Sequence, residues 1–274
     1  MGDRHAVGTL WCGQDDAGAG HGRRGRPWQT AEGNLAASLL LSIPAGLPNA
    51  AMLGFAAGLA LADRITIEIK GKGGHAALPH LTIDPIVVGA QIITALQTIV
   101  GRNVSPVDEG VVTISNFDGG TGASNIIADK AVMIGTIRAF KRETRELMHI
   151  RVQEIATGVA QALGATAEVE IDMGYDPTIN TDHEVDLAAE AASIVVGAEN
   201  VDIEYEPTMG AEDFGAYLSH KPGAFIVVGQ ATSDPNSRHN QGLHTPRYDF
   251  NDEILPVGIS WFVKLVENYM PLGK

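Results

Sequence analysis

The 274-residue chain has one cysteine, Cys12, so no disulfide can form within it and nothing points to an oxidising compartment. Cationic residues are scarce as well: 19 Lys and Arg face 33 Asp and Glu, a formal net charge of −14. Such a chain repels phosphate backbones and anionic lipid surfaces unless its cations are gathered on one face. Nucleic-acid binding is therefore not expected. Long apolar runs are missing too. The most apolar stretch, residues 35–61, is interrupted by Pro44, Gly46, Pro48 and Asn49, whereas a spanning helix needs about 20 apolar residues in a row. Arg23, Arg24 and Arg26 ahead of it mimic the charged start of a signal peptide, but they lie well inside the chain. The reading is a cytoplasmic protein with no membrane partner.

What is present is enough apolar material, 45% of residues, to bury one large or two medium cores. Residues 1–34 are rich in Gly, Arg, Asp and His with no apolar period, so loop or disorder is expected there. Residues 49–62, NAAMLGFAAGLALA, read as an Ala- and Leu-rich helix. Next comes a clear alternation: Ile65, Ile67 and Ile69 against Thr66, Glu68 and Lys70, a strand with one buried face. Asp84 and Pro85 supply an N-cap and a first-turn proline. Val88, Ile92, Ala95, Leu96 and Ile99 then recur at helical spacing as far as Gly101.

Residues 111–116 and 131–138 are two more strands around the glycine-rich loop DGGTGASN. A second helix starts near Thr144, carries Met148, Val152, Ile155, Val159 and Leu163 in its stripe, and stops at Gly164. Thr166 to Asp172 alternates again. The order strand, helix, strand, strand, helix, strand predicts an α+β open-faced sandwich of a four-stranded sheet and two helices. Beyond Asp176 come a helix at 186–196, a short helix after Glu212, a buried strand at 224–228 and a terminal helix at 252–270. Few strands remain there. That stretch reads as the second part of an α/β domain into which the sandwich is inserted.

Four segments carry a family likeness, in order: IEIKGKGGHAALPH, GGTGASNIIADKAVMIGTIRAF, MGAEDFGAYL and HNQGLHTPRYDFND. Together they resemble the peptidase M20 amidohydrolases, the group of the hippurate and auxin-conjugate hydrolases. The resemblance implies an α/β fold in three stretches: residues 1–64 as a divergent first piece of the catalytic domain, 65–176 as a lid and dimerisation domain, and 177–274 as the rest of the catalytic domain. It implies hydrolysis of an amide, an N-acyl amino acid or a related conjugate, a divalent Zn or Mn ion, and a homodimer formed through the lid.

Residue roles follow from the same resemblance. His244 aligns with a metal-ligating histidine, and Asp249 and Asp252 stand close enough in sequence to support its ring. On its own, a histidine in a loop is more often a surface or capping residue. His75, after Gly73 and Gly74, matches a lid histidine that stabilises the oxyanion in the partner's active site; its plain alternative is a loop residue. Asn125 and Arg138 match residues holding the substrate's carboxylate or acyl end, and Arg suits a carboxylate through two parallel hydrogen bonds. Without the family they are a turn residue and a solvated strand residue. Glu212 aligns with an acid at the rim of the metal cleft and is taken, with His75, as catalytic. A helix start also favours acids, which accounts for Glu212 and Asp213 equally well.

Relatives carry further motifs ahead of the lid: His-x-Cys-Gly-His-Asp, a Glu-Glu pair and a His-Asn. Cys12-Gly13-Gln14-Asp15 echoes the first with glutamine, a poor zinc ligand, at the histidine position, and Glu32 is the only glutamate before residue 65. A weakly bound or absent metal is the resulting expectation. Two rival functions stay open: a non-catalytic dimerisation or binding module derived from such an enzyme, and a metal-independent esterase-like hydrolase.

Overall fold

A computed structural model describes the backbone of residues 36–43 and 53–54 and all of residues 58–270. The elements run β1 (Ala36–Ile43), β2 (Leu53–Gly54), β3 (Leu61–Lys70), β4 (Gly74–His75), α1 (Pro85–Thr98), β5 (Gly110–Gly119), β6 (Ile126–Ile127), β7 (Lys130–Ala139) and α2 (Arg142–Ala162). They continue with β8 (Thr166–Tyr175), α3 (Asp182–Val196), β9 (Val201–Asp202), α4 (Gly215–Leu218), β10 (Gly223–Gly229) and α5 (Leu255–Tyr269). The chain divides into two compact units. One holds residues 59–178 with 208–213, and the other residues 179–207 and 214–270 with strands β1 and β2.

In the first unit the strands form an antiparallel sheet in the order β5-β7-β3-β8. Its buried face carries Ile65, Ile67 and Ile69 from β3 and Met133 and Ile137 from β7, which form one core with Val88, Ile92 and Leu96 of α1 and Met148, Val152 and Ala156 of α2. This is the expected sandwich: strand alternation and helix stripe were both set by one buried side. The Asp84 side chain caps α1 by accepting the Ile86 N–H at 2.9 Å, and Gly164, at φ +82°, takes the left-handed turn that ends α2. By length and composition alone the apolar helix at 85–103 is able to cross a membrane, but here Val88, Ile92, Leu96 and Ile99 are buried against the sheet.

Two expectations need correction. Residues 49–62 do not read as a helix where the chain is described: Leu53–Gly54 is a strand, Leu59 bridges Thr178 and Thr208, and β3 has begun by Leu61. Local Ala and Leu propensity lost to sheet pairing, since β3 can extend along the whole of β7 from Lys70 to Leu61. The same pairing carries the sandwich sheet four residues upstream of Ile65. The expected disorder of residues 1–34 falls outside the described residues.

One glycine shows how tightly this sheet is closed. A Cβ on Gly135 would sit 2.3 Å from the Thr113 carbonyl oxygen and 2.8 Å from Ile114 Cδ1, where β5 shifts register between Ile114 and Asn116. Gly135→Ala is expected to cost about 1–3 kcal/mol through overpacking, read as a lower urea midpoint at unchanged slope. A midpoint equal to that of the wild type would mean the bulge relaxes freely.

In the second unit a mixed sheet runs β1-β10-β2-β9, with β1 parallel and β2 antiparallel to β10. Every residue of β10 is buried. Ala188, Ala191 and Ala192 of α3 let α5 approach closely, and Trp261 of α5 fills the space and donates its indole N–H to the Ala188 carbonyl at 3.0 Å. Beyond Asp176 the described residues hold two strands, β9 and β10, and β1 enters the sheet from the apolar stretch before Pro44.

Candidate active site

His75 lies in a two-residue ribbon in which β4 pairs with β6, His75 opposite Ile126. Small residues are required before it. A Cβ on Gly73 would come within 2.7 Å of the Ile127 carbonyl, and one on Gly74 within 2.7 Å of Thr82 Cγ2. The Gly73 N–H donates to Asp129 Oδ1 at 2.9 Å, and the Ala76 N–H donates to the Asn125 carbonyl at 3.0 Å. His75 and Asn125 are thereby neighbours, and with Gly73, Gly74, Ile126, Ile127 and Asp129 they line an open concavity of about 440 Å³. His75 Nδ1 accepts the Ala77 N–H at 3.1 Å, which in the neutral ring leaves the proton on Nε2. The result is a hydrogen-bond donor on a rigid turn. Asp129 is a member that sequence reading missed, because its bond to Gly73 spans 56 residues and has no local signature.

Arg138 and the segment that carries Glu212 meet elsewhere in the same unit. Arg138 stands half-buried on β7, on the face away from the helices, and its Nη1 donates to the Met209 carbonyl at 2.8 Å. Residues 208–213 are held further by the Ala60 N–H on the Thr208 carbonyl at 3.2 Å and by Thr178 Oγ1 donating to the Glu212 carbonyl at 3.5 Å. Arg138 is therefore not the freely solvated strand residue of the plainer reading. Glu212 precedes α4, which starts only at Gly215, so no helix start explains it. Its Oε1 accepts the Asp213 N–H at 2.9 Å. Burial, then the adjoining Asp213 carboxyl, push the Glu212 carboxyl up to about 7, against the Asp213 N–H that favours its charged form. A carboxylate titrating there can exchange a proton at neutral pH.

The two groups stand at opposite ends of the sheet. Asn125 precedes Lys130 and His75 follows Lys70, and these lysines pair at one end of β3 and β7; Arg138 pairs with Ala62 at the other. Eight residues of strand separate Lys130 from Arg138, roughly 26 Å at the usual rise.

His244, in the other unit, belongs to an exposed loop between a short 3₁₀ turn, Arg238–Asn240, and the turn that leads into α5. Its φ of 61° is left-handed, a conformation that non-glycine residues hold only when their surroundings fix it. Asp249 engages through its main-chain carbonyl, which faces His239 Nδ1 at 3.1 Å, and Asp252 opens the turn capped by Asn251. Among the described residues no three His, Cys, Asp or Glu side chains stand where they could hold one metal ion. His244 alone does not meet the need of a catalytic centre for about three protein donors. The described donor set therefore does not fit a metal site on its own.

A second group that the sequence did not reveal lies under the Arg138 end. Asp63, fully buried on β3, accepts from Arg145 Nε at 2.7 Å and from Arg145 Nη2, and from the Gly174 N–H at 2.9 Å; His149 Nε2 lies 2.6 Å from its other oxygen. Burial alone would raise its carboxyl. The Arg145, Gly174 and His149 bonds outweigh burial and hold it below its ordinary value.

Comparison with known proteins identifies the family. Residues 62–162 match the peptidase dimerisation domain family, M20_dimer. The chain is 34% identical over 212 residues to the hippurate hydrolase of Campylobacter jejuni, covering 77% of this chain and 53% of that protein. It is 36% identical over 207 residues to the N-acetylcysteine deacetylase of Bacillus subtilis, covering 76% and 52%. Among solved structures, the YXEP protein of Bacillus subtilis, described as a dinuclear metal binding peptidase of the M20 family, superposes with a TM-score of 0.58 at 29% identity, covering 84% of this chain and 56% of that one. The chain spans about half the length of the curated relatives it matches. With a matching dimerisation domain and four motifs in family order, the chain belongs to the M20 peptidase family.

Proposed function

We propose that the protein acts as a dimeric amidohydrolase on small N-acyl amino acids or related conjugates. One observation carries the reading. The strand end that leads to His75 and Asn125 and the strand position that carries Arg138 stand roughly 26 Å apart along one sheet, more than a small substrate spans within one chain. Two lids related by a two-fold axis would bring the His75 end of one chain to the substrate of the other.

In this reading His75 Nε2 donates to the developing oxyanion, Asn125 and Arg138 orient the acyl and carboxylate ends, and Glu212 takes and returns a proton. The similarity to hydrolases that cleave amide bonds supports the reaction class, and the dinuclear metal binding described for YXEP supports a divalent ion. When bound, such an ion supplies an activated water. His244 is the donor carried over from the family, and the described residues place no second or third donor with it, so none of these roles is routed through the ion.

Sedimentation velocity at micromolar concentration should give a dimer, and N-acyl amino acid hydrolysis should rise with pH through about 7 as Glu212 ionises. A clean monomer would remove the trans role of His75. A dimer that binds N-acyl amino acids without cleaving them would make the chain a binding module.

A further inference from the structure

The ribbon that carries His75 continues the ladder of the sandwich sheet. Strands β3 and β7 pair as far as Lys70 with Lys130, and pairing resumes in β4 and β6 at Gly74 with Ile127. Between these two pairs stand Gly71, Lys72 and Gly73 on one strand and Ala128 and Asp129 on the other, three residues against two. That is a β-bulge. Side chains alternate along a strand, so one extra residue decides which face the residues beyond it present. His75 owes its direction to this bulge.

Asp129 grips the bulge on both sides. Its main-chain carbonyl accepts the Gly71 N–H at 2.8 Å, and its Oδ1 accepts the Gly73 N–H at 2.9 Å. Lys72, between them, turns away from this ladder and exchanges both backbone bonds with Ile83 at 2.9 Å each. Among the described residues the Gly73 N–H has one acceptor, the Asp129 carboxylate. The fit leaves no room for side chains: a Cβ on Gly71 would lie 2.2 Å from the Ile83 carbonyl, and one on Gly73 2.8 Å from Asp129 Oδ1. Beyond the bulge the ribbon has bonds of its own. The Ala76 N–H reaches the Asn125 carbonyl at 3.0 Å, the Leu78 N–H the His75 carbonyl at 2.8 Å, and the Ala77 N–H His75 Nδ1 at 3.1 Å. Those bonds fix the ribbon within itself, and Lys72 ties the bulge to the segment before α1. The Asp129 carboxylate is the side chain that joins the ribbon to the start of β7.

We infer that Asp129 is a positioning residue for His75: its carboxylate clamps the bulge and so sets the direction from which the His75 ring faces the concavity. This rests on the reading above that His75 is an oxyanion donor. Asp129 is exposed, and a single exposed bond adds little to overall stability, so the test reads His75 and not unfolding. Asp129→Ala removes the acceptor; Asp129→Asn keeps an acceptor oxygen in its place and removes only the charge. In Asp129→Ala, amide exchange at residues 73–76 should speed up about tenfold while the Ile67 and Met133 amides keep wild-type protection. The His75 ring signals should shift in nitrogen-15 NMR spectra. For an N-acyl amino acid, kcat should fall about 10–100-fold with KM little changed, because a misdirected donor is missed mainly in the transition state. Asp129→Asn should recover most of each loss, and Asp129→Ala should add no further loss in a His75→Ala background.

Wild-type exchange and unshifted His75 signals in Asp129→Ala would overturn the inference. So would an Asp129→Asn variant as impaired as Asp129→Ala, or an added loss in the His75→Ala background, since Asp129 would then act by its charge or on another group. If the wild type cleaves no N-acyl amino acid, or His75→Ala cleaves it at the wild-type rate, the reading of His75 as oxyanion donor fails instead. The exchange rates and ring signals then still decide whether Asp129 directs the ring.

Discussion

Mixing His75→Ala and Glu212→Gln homodimers and allowing exchange should restore hydrolysis that neither variant retains alone. Loss of one oxyanion donor typically costs about 10²–10³-fold in rate, and loss of a general base about 10²–10⁴-fold. Each homodimer carries the same defect in both of its sites. In a mixed dimer, trans action gives one site a His75 from one chain and a Glu212 from the other, so that site is intact while its twin carries both defects. Statistical exchange yields mixed dimers as half the population, and the recovered rate is about one quarter of wild type. Were His75 to act on its own chain, every site in the mixture would keep one defect and no recovery would appear. The sheet geometry makes the first outcome the expected one, since Lys70 and Lys130 mark one end of β3 and β7 and Ala62 and Arg138 the other. Asn125→Ala, placed beside His75 by the Ala76 bond, should complement Glu212→Gln in the same way and fail to complement His75→Ala.

The largest loss of stability is expected at Asp63. In Asp63→Ala the Nε and Nη2 of the Arg145 guanidinium, 5% exposed, lose their acceptor while staying buried, with only Asp176 left near Nη1, and the Gly174 N–H loses its acceptor as well. Removing one partner of a buried ion pair costs about 3–5 kcal/mol, against a total stability usually of about 5–15 kcal/mol. Urea unfolding of the variant should show a correspondingly lower midpoint, and Asp63→Leu with Arg145→Met should regain much of it by replacing charge with apolar volume.

The acid response follows from the direction of the Asp63 shift. Its carboxyl is held below the ordinary value of 3.8, so the folded state binds its proton less readily than the unfolded state. The stabilisation from this shift is present above that ordinary value and is lost as pH falls through the lower folded one. Stability measured between pH 5 and 2 should decline less steeply in Asp63→Asn than in the wild type, from a lower starting point. Equal acid slopes in the two proteins would show that Asp63 does not carry this term.

Much of the sandwich was legible because its signals were local and agreed with each other. Ile65, Ile67 and Ile69 alternate with polar residues, Asp84 and Pro85 announce α1, and Gly164 ends α2. Each follows from the period of one element or the chemistry of one cap. The M20 resemblance was equally a property of sequence, since it rests on four short segments in order, and it named His75, Asn125, Arg138, Glu212 and His244 before any geometry. Where the local signal was propensity alone, as at residues 49–62, tertiary pairing overrode it and a strand stands where a helix was expected.

What the sequence by itself determined is therefore the element order of the sandwich, the family, and the identity of the candidate residues. Only the tertiary structure decided their grouping. It joined His75 to Asn125 through a ribbon, set Arg138 on the Met209 carbonyl, and placed these two groups at opposite ends of one sheet. It also disclosed Asp63 with Arg145 and His149. The physical reason is common to all of these. Strand period and helix caps are read within a few residues, whereas the Asp63–Arg145 bond spans 82 positions and the Arg138–Met209 bond 71, and such distances close only when the chain packs.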